Sequence, residues 1–361
     1  MLFAQEIAQA ARRAALDAGC DLAGIAPVQQ EDLPELSAFV EWVDAGRAGE
    51  MKYLETRNEV GELRRASATN AAPWVRSIVV CALNYSADKP YSTQVNDPEH
   101  GWISRYAWGS KDYHDALLPR LKQVEAAIQQ AAAEQQINVE TRSYVDTGPI
   151  VERVYARHAG IGWIGKNTCI IHQKLGSWMF LGVVLTSLDL PADIPAPDRC
   201  GSCTRCIDAC PTQALVAPGK MDARLCIAYL TIEKRGAIPE DLRSAIGHHI
   251  FGCDICQDVC PWNNKSGNAL PTSLPEFQPQ PGLYHPELRP LAQMDEETYR
   301  RIFRGSPVKR AKYAGIKRNV AIAMGNSGNP EFAADLQKLA NDPDPIVAKH
   351  AAWALRKLTG S

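Results

Sequence analysis

Apolar residues recur with helical spacing and with strand spacing along the first half of the chain. The helical spacing predicts helices over Gln5–Ala18, Tyr113–Gln136 and Val151–His158. Short apolar runs rich in β-branched residues predict strands over Ser77–Leu83, Val139–Val145 and Ser177–Leu188. Helices and strands that alternate in this way indicate a mixed α/β domain, which we expect to span residues 1–195.

Two further features divide the rest of the chain. The stretch Pro191–Pro197 is rich in Pro, Asp and Ala, which is typical of a linker. Near the other end, Lys312–Gly325 and Asp344–Leu358 share a helical pattern that predicts two units of a HEAT-type repeat. Such units stack because neither buries its apolar face alone, so we expect residues 266–361 to pack on the rest of the chain. The predicted fold class is α+β, with a third domain at residues 196–265.

The composition is that of a globular chain, since 45% of its 361 residues are hydrophobic and its formal net charge is -2. This near-neutral balance indicates no polyanionic partner for the whole surface, so a nucleic-acid contact would have to be a local basic patch. Met1–Ala15 lacks the apolar core and cleavage pattern of a secretory signal, and apolar runs such as Met179–Leu185 are too short to span a bilayer. We therefore expect a cytoplasmic protein with no membrane partner.

Of the 11 cysteines, most are concentrated between Cys200 and Cys260. A secreted protein would use such cysteines for disulfides, but their spacing favours metal binding in a reducing compartment. Cys20, Cys81 and Cys169 stand apart in apolar stretches. We expect these three to be buried structural thiols.

Residues 200–211 read CGSCTRCIDACP, which matches the bacterial ferredoxin pattern C-x2-C-x2-C-x3-C-P. In two-cluster ferredoxins the first three thiolates of this pattern bind one [4Fe-4S] cluster, and the fourth binds the other. Residues 253–261, CDICQDVCP, repeat the second half of the pattern, but Ile250 stands where the leading cysteine belongs. Cys226 is the unassigned cysteine nearby, and we assign it to the missing position.

This pattern predicts two [4Fe-4S] clusters. The first is bound by Cys200, Cys203, Cys206 and Cys260, and the second by Cys210, Cys226, Cys253 and Cys256. A structural zinc site is the alternative, because zinc also binds C-x2-C pairs, but the x3-C-P endings favour iron–sulfur clusters. Two clusters in series imply that single electrons move toward a terminal acceptor. No G-x-G-x-x-G follows a predicted strand and no P-loop is present, so neither a dinucleotide nor ATP-driven reduction is predicted.

Four separated segments, taken together, resemble one protein family. They are Arg105–His114 (RYAWGSKDYH), Tyr144–Thr168 (YVDTGPIVERVYARHAGIGWIGKNT), Cys226–Gly236 (CIAYLTIEKRG) and Gly252–Asn263 (GCDICQDVCPWN). In this order, and over nearly the whole chain, they resemble epoxyqueuosine reductases. The resemblance implies a cobalamin-dependent enzyme, related to reductive dehalogenases, that converts epoxyqueuosine to queuosine at the wobble position of tRNA.

The resemblance also implies the electron acceptor and the acid. Base-off cobalamin, lying over the N-terminal domain, would be reduced through the clusters, which an external low-potential donor supplies. Asp146 would donate a proton to the opening epoxide. A carboxyl group does this only if it stays protonated, so we expect burial beside the corrin face to raise the pKa of Asp146. The alternative is that Asp146 caps a helix beginning near Pro149.

The expected cobalamin contacts are Arg57, Tyr113, Asp146, Lys166 and Asn167, because the amides on the corrin rim require hydrogen-bonding partners. The alternative for Arg57 and Lys166 is that they are solvated surface charges. Asp112 and His114 come near the D-x-H-x-x-G signature of histidine-ligated cobalamin, but Leu117 stands in place of the glycine. We therefore interpret His114 as a residue at the start of a helix and not as a cobalt ligand.

Basic residues without an intervening acid extend from Thr298 to Arg318. We expect phosphate contacts to tRNA, with the modified base flipped toward the cobalt, from Lys309, Arg310, Lys312, Lys317 and Arg318, extended by Lys234 and Arg235. The alternative is a solvated basic face on helices.

Two other functions compete with the reductase interpretation. A cobalamin-dependent dehalogenase acting on a small molecule would have little use for the basic run. A ferredoxin-type electron carrier would need neither the N-terminal domain nor the helical tail. The sequence therefore favours the tRNA-modifying enzyme.

Overall fold

The computed structural model describes residues 2–28, 33–264 and 267–360, so the predicted boundary between residues 265 and 266 lies outside the described residues. The strands are β1 (Leu22–Pro27), β2 (Ser77–Asn84), β3 (Trp102–Ile103), β4 (Thr141–Tyr144), β5 (Trp163–Ile164), β6 (Ile170–Ile171), β7 (Met179–Thr186), β8 (Leu215–Ala217), β9 (Lys220–Met221) and β10 (His249–Phe251).

Helices occur along the whole described chain and dominate its last third. They are α1 (Leu2–Asp17), α2 (Pro34–Asp44), α3 (Ala68–Ala71), α4 (Tyr113–Glu134), α5 (Glu152–His158), α6 (Arg205–Asp208), α7 (Ile227–Ile232), α8 (Glu240–Arg243), α9 (Ile255–Asp258), α10 (Pro261–Asn264), α11 (Leu288–Gln293), α12 (Glu296–Ile302), α13 (Tyr313–Asn326), α14 (Ala333–Leu339) and α15 (Pro345–Thr359). Among the described helices, none has both the length and the apolar composition that a bilayer crossing requires.

An antiparallel sheet with the strand order β1-β2-β7-β4 forms the centre of the N-terminal region. Every residue of β2 is buried. Side chains alternate along a strand, so Val79 and Cys81 belong to one hydrophobic core while Ile78 and Val80 belong to another. A strand covered on both faces has a continuous apolar sequence, which is why the run at Ser77–Leu83 predicts it correctly.

Helices cover the two faces of this sheet. Helices α1 and α4 supply the core on one face, through residues such as Ile7 and Leu121. Helix α5 covers the other face and approaches β1 so closely that a Cβ at Gly24 would lie 2.0 Å from the carbonyl oxygen of Ala159. The predicted mixed α/β architecture is therefore confirmed for this part of the chain.

A single large core joins the cysteine-rich region to the C-terminal helices. It contains Leu230 and Phe251 from the cysteine-rich region together with Val320 from α13 and Ala351 from α15. Strand β10 also pairs in parallel with β3, which precedes α4 in the N-terminal region. The helical tail therefore packs on the rest of the protein as expected, while its assignment as HEAT-type repeats stays a prediction.

Candidate functional site

The structure gathers the eight cysteines of residues 200–260 into two groups. Cys200, Cys203, Cys206 and Cys260 line one cavity, together with Ile171 and Trp262. Burial, with a smaller contribution from the neighbouring Cys200, raises the pKa of Cys260 to about 11. These four thiols therefore share one cavity, as the ligands of a single cluster would.

Cys210, Cys226, Cys253 and Cys256 form the second group. Burial raises the pKa of Cys226, and Cys210 adds to this rise. Burial likewise raises the pKa of Cys253, with a further contribution from Cys226. A hydrogen bond with Cys169 and burial raise the pKa of Cys256, and Cys253 and Cys226 add to them. Packed thiols of this kind ionise together only when a cation compensates their charge, which fits an iron–sulfur cluster.

These are the same two groups of four that the sequence analysis assigns, although the ligation of each cluster by these residues stays a prediction. Cys260 reaches the first group because α9 and its following turn bring it back toward Cys200. Cys226 reaches the second group from the N-cap of α7. The two cysteine runs of the sequence therefore exchange their last members, because Cys260 joins the first group and Cys210 joins the second.

Cys169 differs from its prediction as an isolated structural thiol. It is only half-buried, and its side chain contacts Cys256 at the edge of the second cysteine group. Cys20 and Cys81 are buried as predicted, and their side chains contact each other. The apolar residues around Cys169 in the sequence give no sign of a partner so distant in the chain.

Lys166 and Asn167 connect both cysteine groups to the Gly-rich segment before them. The ammonium group of Lys166 donates hydrogen bonds to the carbonyl oxygens of Gly201 (2.7 Å) and Cys203 (2.9 Å). The buried Asn167 amide donates to the carbonyl oxygen of Cys256 at 3.3 Å. Lys166 is thus not a solvated surface charge, whereas Arg57 is exposed and bonds to Gly61 within its own loop.

Asp146 lies on the loop between β4 and α5 and has a left-handed backbone conformation, with φ of 56°. The Tyr113 hydroxyl donates to its Oδ2 at 2.9 Å. The Nε2 atom of His114 lies 3.8 Å from the same oxygen, too far for a hydrogen bond but close enough for a strong electrostatic interaction. Helix α5 has Val151 at its N-cap, with no side-chain cap, so the capping alternative for Asp146 is wrong.

The ionisation of Asp146 is opposite to the predicted direction. The nearby His114 imidazole lowers the pKa of Asp146, and the Tyr113 hydroxyl lowers it further. The Asp146 side chain is 68% exposed, so burial does too little to reverse this. The expected rise in this pKa is therefore wrong for the environment that the chain itself provides. Asp146 is a carboxylate at neutral pH.

His114 holds the proton that Asp146 lacks. Burial lowers the pKa of His114, but Asp112 and Asp146 outweigh it and raise the value to about 9. Asp112 is buried, accepts from His114 Nδ1 at 2.7 Å and is bound by Lys309 at 3.0 Å. His114 does lie at the start of α4 as predicted, but the sequence analysis does not predict its contact with Asp146. Nothing in the local sequence signals this partner.

The surroundings of Asp146 fit a ligand that carries amide groups. His114 Nε2 and Glu152 Oε1 are buried and have no hydrogen-bond partner among the described residues. Burial, followed by the charge of Asp146, raises the pKa of Glu152 to about 7. Buried polar atoms without partners are rare in folded proteins, so these two call for a ligand that donates and accepts hydrogen bonds. The amides of a corrin ring meet this requirement.

Two of the predicted tRNA contacts are wrong. The Arg318 side chain is 1% exposed and donates to the carbonyl oxygens of Leu230, Lys234 and Gly236. Lys317 is also largely buried and pairs with Asp342 at 2.8 Å. Both lie on α13. Arg318 faces α7 and its following turn, and the charge of Lys317 is compensated by Asp342, which follows α14.

The remaining basic residues form a smaller exposed patch. We call Arg235, Lys309, Arg310 and Lys312 the basic surface. Arg235 donates to the Arg310 carbonyl oxygen at 2.9 Å, which links the two chain segments. Lys234 is less exposed and is held by Glu50. We call Asp112, Tyr113, His114 and Asp146 the acid site. The basic surface adjoins it because Lys309 binds Asp112.

Comparison with known proteins gives matches along the chain. Residues 199–263 match the family described as a 4Fe-4S double cluster binding domain, and residues 65–147 match the family described as epoxyqueuosine reductase QueG, DUF1730. The epoxyqueuosine reductase of Xanthomonas campestris pv. campestris is 38% identical over 348 residues, which cover 95% of this chain and 94% of that protein.

Solved structures agree with the sequence matches. A crystal structure of epoxyqueuosine reductase with an epoxyqueuosine-modified tRNA-Tyr stem loop has a TM-score of 0.84 and 31% identity, covering 98% of this chain and 90% of that one. Epoxyqueuosine reductase from Bacillus subtilis, with an aspartate catalytic loop swung out of the active site, has a TM-score of 0.83 and 30% identity at the same coverage. The similarity thus extends over sequence, cysteine region and fold.

Replacing Lys166 by Met should make the first cluster harder to reduce. The substitution removes a positive charge that lies against the loop of Cys200 and Cys203, and cluster potentials depend on nearby charge and hydrogen bonds. A redox titration followed by electron paramagnetic resonance should give a more negative potential for one cluster. Lys174→Met, at an exposed lysine, is the control and should change neither potential. Equal potentials in Lys166→Met and the unsubstituted protein would contradict this role.

Proposed function

The chain belongs to the epoxyqueuosine reductase family, and we propose that it reduces epoxyqueuosine to queuosine at the wobble position of tRNA. The observation that carries this proposal is the position of the acid site beside the two cysteine groups. The segment 166–169 contacts both groups, through Lys166 at Cys203 and Asn167 at Cys256. An electron source and a proton source therefore lie on either side of one short segment.

The same segment extends to Asp146. The Arg153 guanidinium donates to the Thr168 carbonyl oxygen at 2.7 Å. Its charge adds to the effects of His114 and Tyr113 that lower the pKa of Asp146. A continuous set of contacts thus leads from the second cysteine group through Asn167 and Arg153 to Asp146. A reductive site that also delivers protons requires its electron source and its proton source to lie close together in this way.

Cobalamin is the proposed electron acceptor. A bound corrinoid cobalt would accept single electrons from two [4Fe-4S] clusters and supply a strongly reducing centre at the epoxide. Tyr113, Asp146 and Asn167 surround the position at which we expect it, with Lys166 and Arg57 as further proposed contacts. The unpartnered atoms of His114 and Glu152 support this placement. An external low-potential donor would reload the clusters, and we place the enzyme in the cytoplasm with its tRNA substrate.

The reaction requires protons because the epoxide oxygen leaves as water. Conversion of the epoxide to the alkene takes up two electrons and two protons and breaks both carbon–oxygen bonds. The pKa of His114 is about 9, so its imidazole is protonated at neutral pH beside the ionised Asp146. We propose that Asp146 contacts the oxygen of the opening epoxide and passes to it a proton taken from the His114 imidazolium, while the second proton comes from solvent.

The basic surface is the proposed binding site for the tRNA backbone. Phosphate contacts position an RNA without reading its sequence. The four cations of this surface are exposed, although Lys309 pairs with Asp112, and Arg235 and Arg310 pair with Glu233. The salt bridge between Lys309 and Asp112 places this surface next to His114. A small-molecule dehalogenase would have no use for this arrangement, and a simple electron carrier would have no use for the acid site.

Asp146→Asn should remove turnover and leave cofactor binding intact. An amide neither gives nor takes a proton, and general acid catalysis typically contributes about 100-fold or more to a rate. The assay is anaerobic reduction of tRNA carrying epoxyqueuosine, with queuosine measured by mass spectrometry of the digested RNA and with iron and cobalt measured per chain. Asp115→Asn, at an exposed aspartate of α4, is the control and should be fully active. Normal turnover in Asp146→Asn would exclude the acid role, and no queuosine from the unsubstituted holoenzyme would exclude the proposed function.

Asp112→Asn should move the alkaline limit of activity to lower pH. The active form has a protonated His114, so turnover should persist below about pH 9 and fall as the pH rises through this value. The amide side chain introduced by this substitution still caps α4 but no longer supplies the carboxylate that helps to raise the pKa of His114. The measurement is the pH dependence of kcat/KM, in which Asp115→Asn should reproduce the unsubstituted profile. Coinciding profiles for Asp112→Asn and the unsubstituted enzyme would contradict the role of His114.

Neutral substitution of Lys309, Arg310 and Lys312 by Gln should weaken tRNA binding and flatten its salt dependence. Each lost phosphate contact reduces the slope of log K against log salt by about one. Binding of the anticodon stem loop is measured by fluorescence anisotropy at several salt concentrations. The matched control replaces the exposed Lys338 and Lys349 of α14 and α15. A slope that is the same in both variants would mean that tRNA binds elsewhere.

A further inference from the structure

Two histidines and an aspartate converge on the surface away from the acid site and the cysteine groups. They are Asp97, His100 and His285, and one ligand atom from each lies within 4.8 Å of the others. All three side chains are partly buried. The three residues have no part in the reductase chemistry described above.

The backbone holds the two segments of this cluster together. The Gly101 amide donates to the Pro286 carbonyl oxygen at 2.8 Å, and the Leu288 amide donates to the Glu99 carbonyl oxygen at 2.9 Å. His285 itself has a left-handed conformation, with φ of 50°, which an L residue adopts at a cost in energy. That conformation places its ring against His100, with ring centres 4.6 Å apart.

The Nδ1 atom of His100 is buried and makes no acceptable hydrogen bond to a described residue. It does lie 2.9 Å from Oδ2 of Asp97, so the two atoms are close without being aligned as donor and acceptor. Two ligands that share one tetrahedral zinc ion, each about 2.0 to 2.1 Å from it, are separated by roughly 3.4 Å. The nitrogen–oxygen pair would therefore have to open by about 0.5 Å to share such an ion, which would then satisfy the Nδ1 atom that lacks an aligned partner.

The carboxylate of Asp97 is also oriented for such a role. Its Oδ1 accepts a hydrogen bond from the Glu99 amide at 2.9 Å, which leaves Oδ2 directed toward His100. Ligating carboxylates are commonly fixed in this way by a second hydrogen bond. An open depression lined by Glu99, Ser327 and Asn329 reaches the Asp97 side of the cluster.

We propose that Asp97, His100 and His285 bind a divalent transition-metal ion of the zinc class. Two imidazoles and one carboxylate suit zinc and its neighbours, whereas magnesium and calcium prefer sites made of oxygen atoms alone. Three protein ligands leave a fourth position for water. The ion would join the loop before β3 to the segment before α11, and would thereby support β3 and its partner β10, which leads into Cys253.

The test uses the full chain with its iron–sulfur clusters assembled, titrated with zinc under anaerobic conditions. Equilibrium dialysis should show one zinc ion per chain, and X-ray absorption at the zinc edge should show nitrogen and oxygen ligands at about 2.0 to 2.1 Å with no sulfur at about 2.3 Å. Iron and sulfide are measured in parallel to show that the clusters are intact. A sulfur shell around zinc, or no stoichiometric binding, would overturn the proposal.

Variants assign the binding to these residues. His285→Asn keeps a residue that tolerates the left-handed conformation, and it should weaken zinc binding by more than about tenfold because one of three ligands is lost. His100→Gln and Asp97→Asn should have the same effect and decide the question if His285→Asn loses iron. His158→Asn is the matched control, since His158 pairs with Glu35 at 3.4 Å elsewhere in the fold, and its zinc affinity should be unchanged. Undiminished affinity in the site variants would overturn the proposal.

Discussion

The packing of eight thiols into two groups is the constraint on which the rest of the structure depends. Burial, together with the neighbouring thiols, raises the pKa values of Cys226, Cys253 and Cys260, so a bound cation must compensate the charge when these thiols ionise. The groups interleave along the chain, because Cys260 joins the first and Cys210 the second. The large core that links this region to α13 and α15 packs against Cys226 and Cys253 of the second group, whereas Cys200 and Cys260 of the first group pack in a separate small cluster with Trp163, Ile171 and Trp262.

In the acid site, too, each charged group depends on a neighbour of opposite charge. Lys309, Asp112, His114 and Asp146 form a series of alternating charges that runs from the basic surface to the Tyr113 hydroxyl. This series keeps a proton on the imidazole and a negative charge on the carboxylate. A polyanion bound at Lys309 would therefore change the electrostatic environment of His114 and Asp146, the proposed proton donors. This contact links the proposed tRNA surface to the proposed chemistry.

Local patterns in the sequence predict the features that depend on local physics. The cysteine spacing predicts the two groups, and the doubly buried strand β2 is visible as a continuous apolar run. Contacts between distant segments are not visible in this way. Arg318 reads as a surface cation although three backbone carbonyls enclose it, and the pKa of Asp146 depends on a histidine from another element. Cys169 gives no sequence signal for its contact with Cys256.

Mössbauer spectroscopy of the protein, purified anaerobically from cells grown on 57Fe, tests the central claim most directly. The account predicts the signals of two [4Fe-4S] clusters, about eight iron atoms per chain. Substituting Cys226 or Cys260 by Ser should each diminish the signal of one cluster. Zinc in place of iron in both thiol groups, or a single cluster that survives both substitutions, would contradict it.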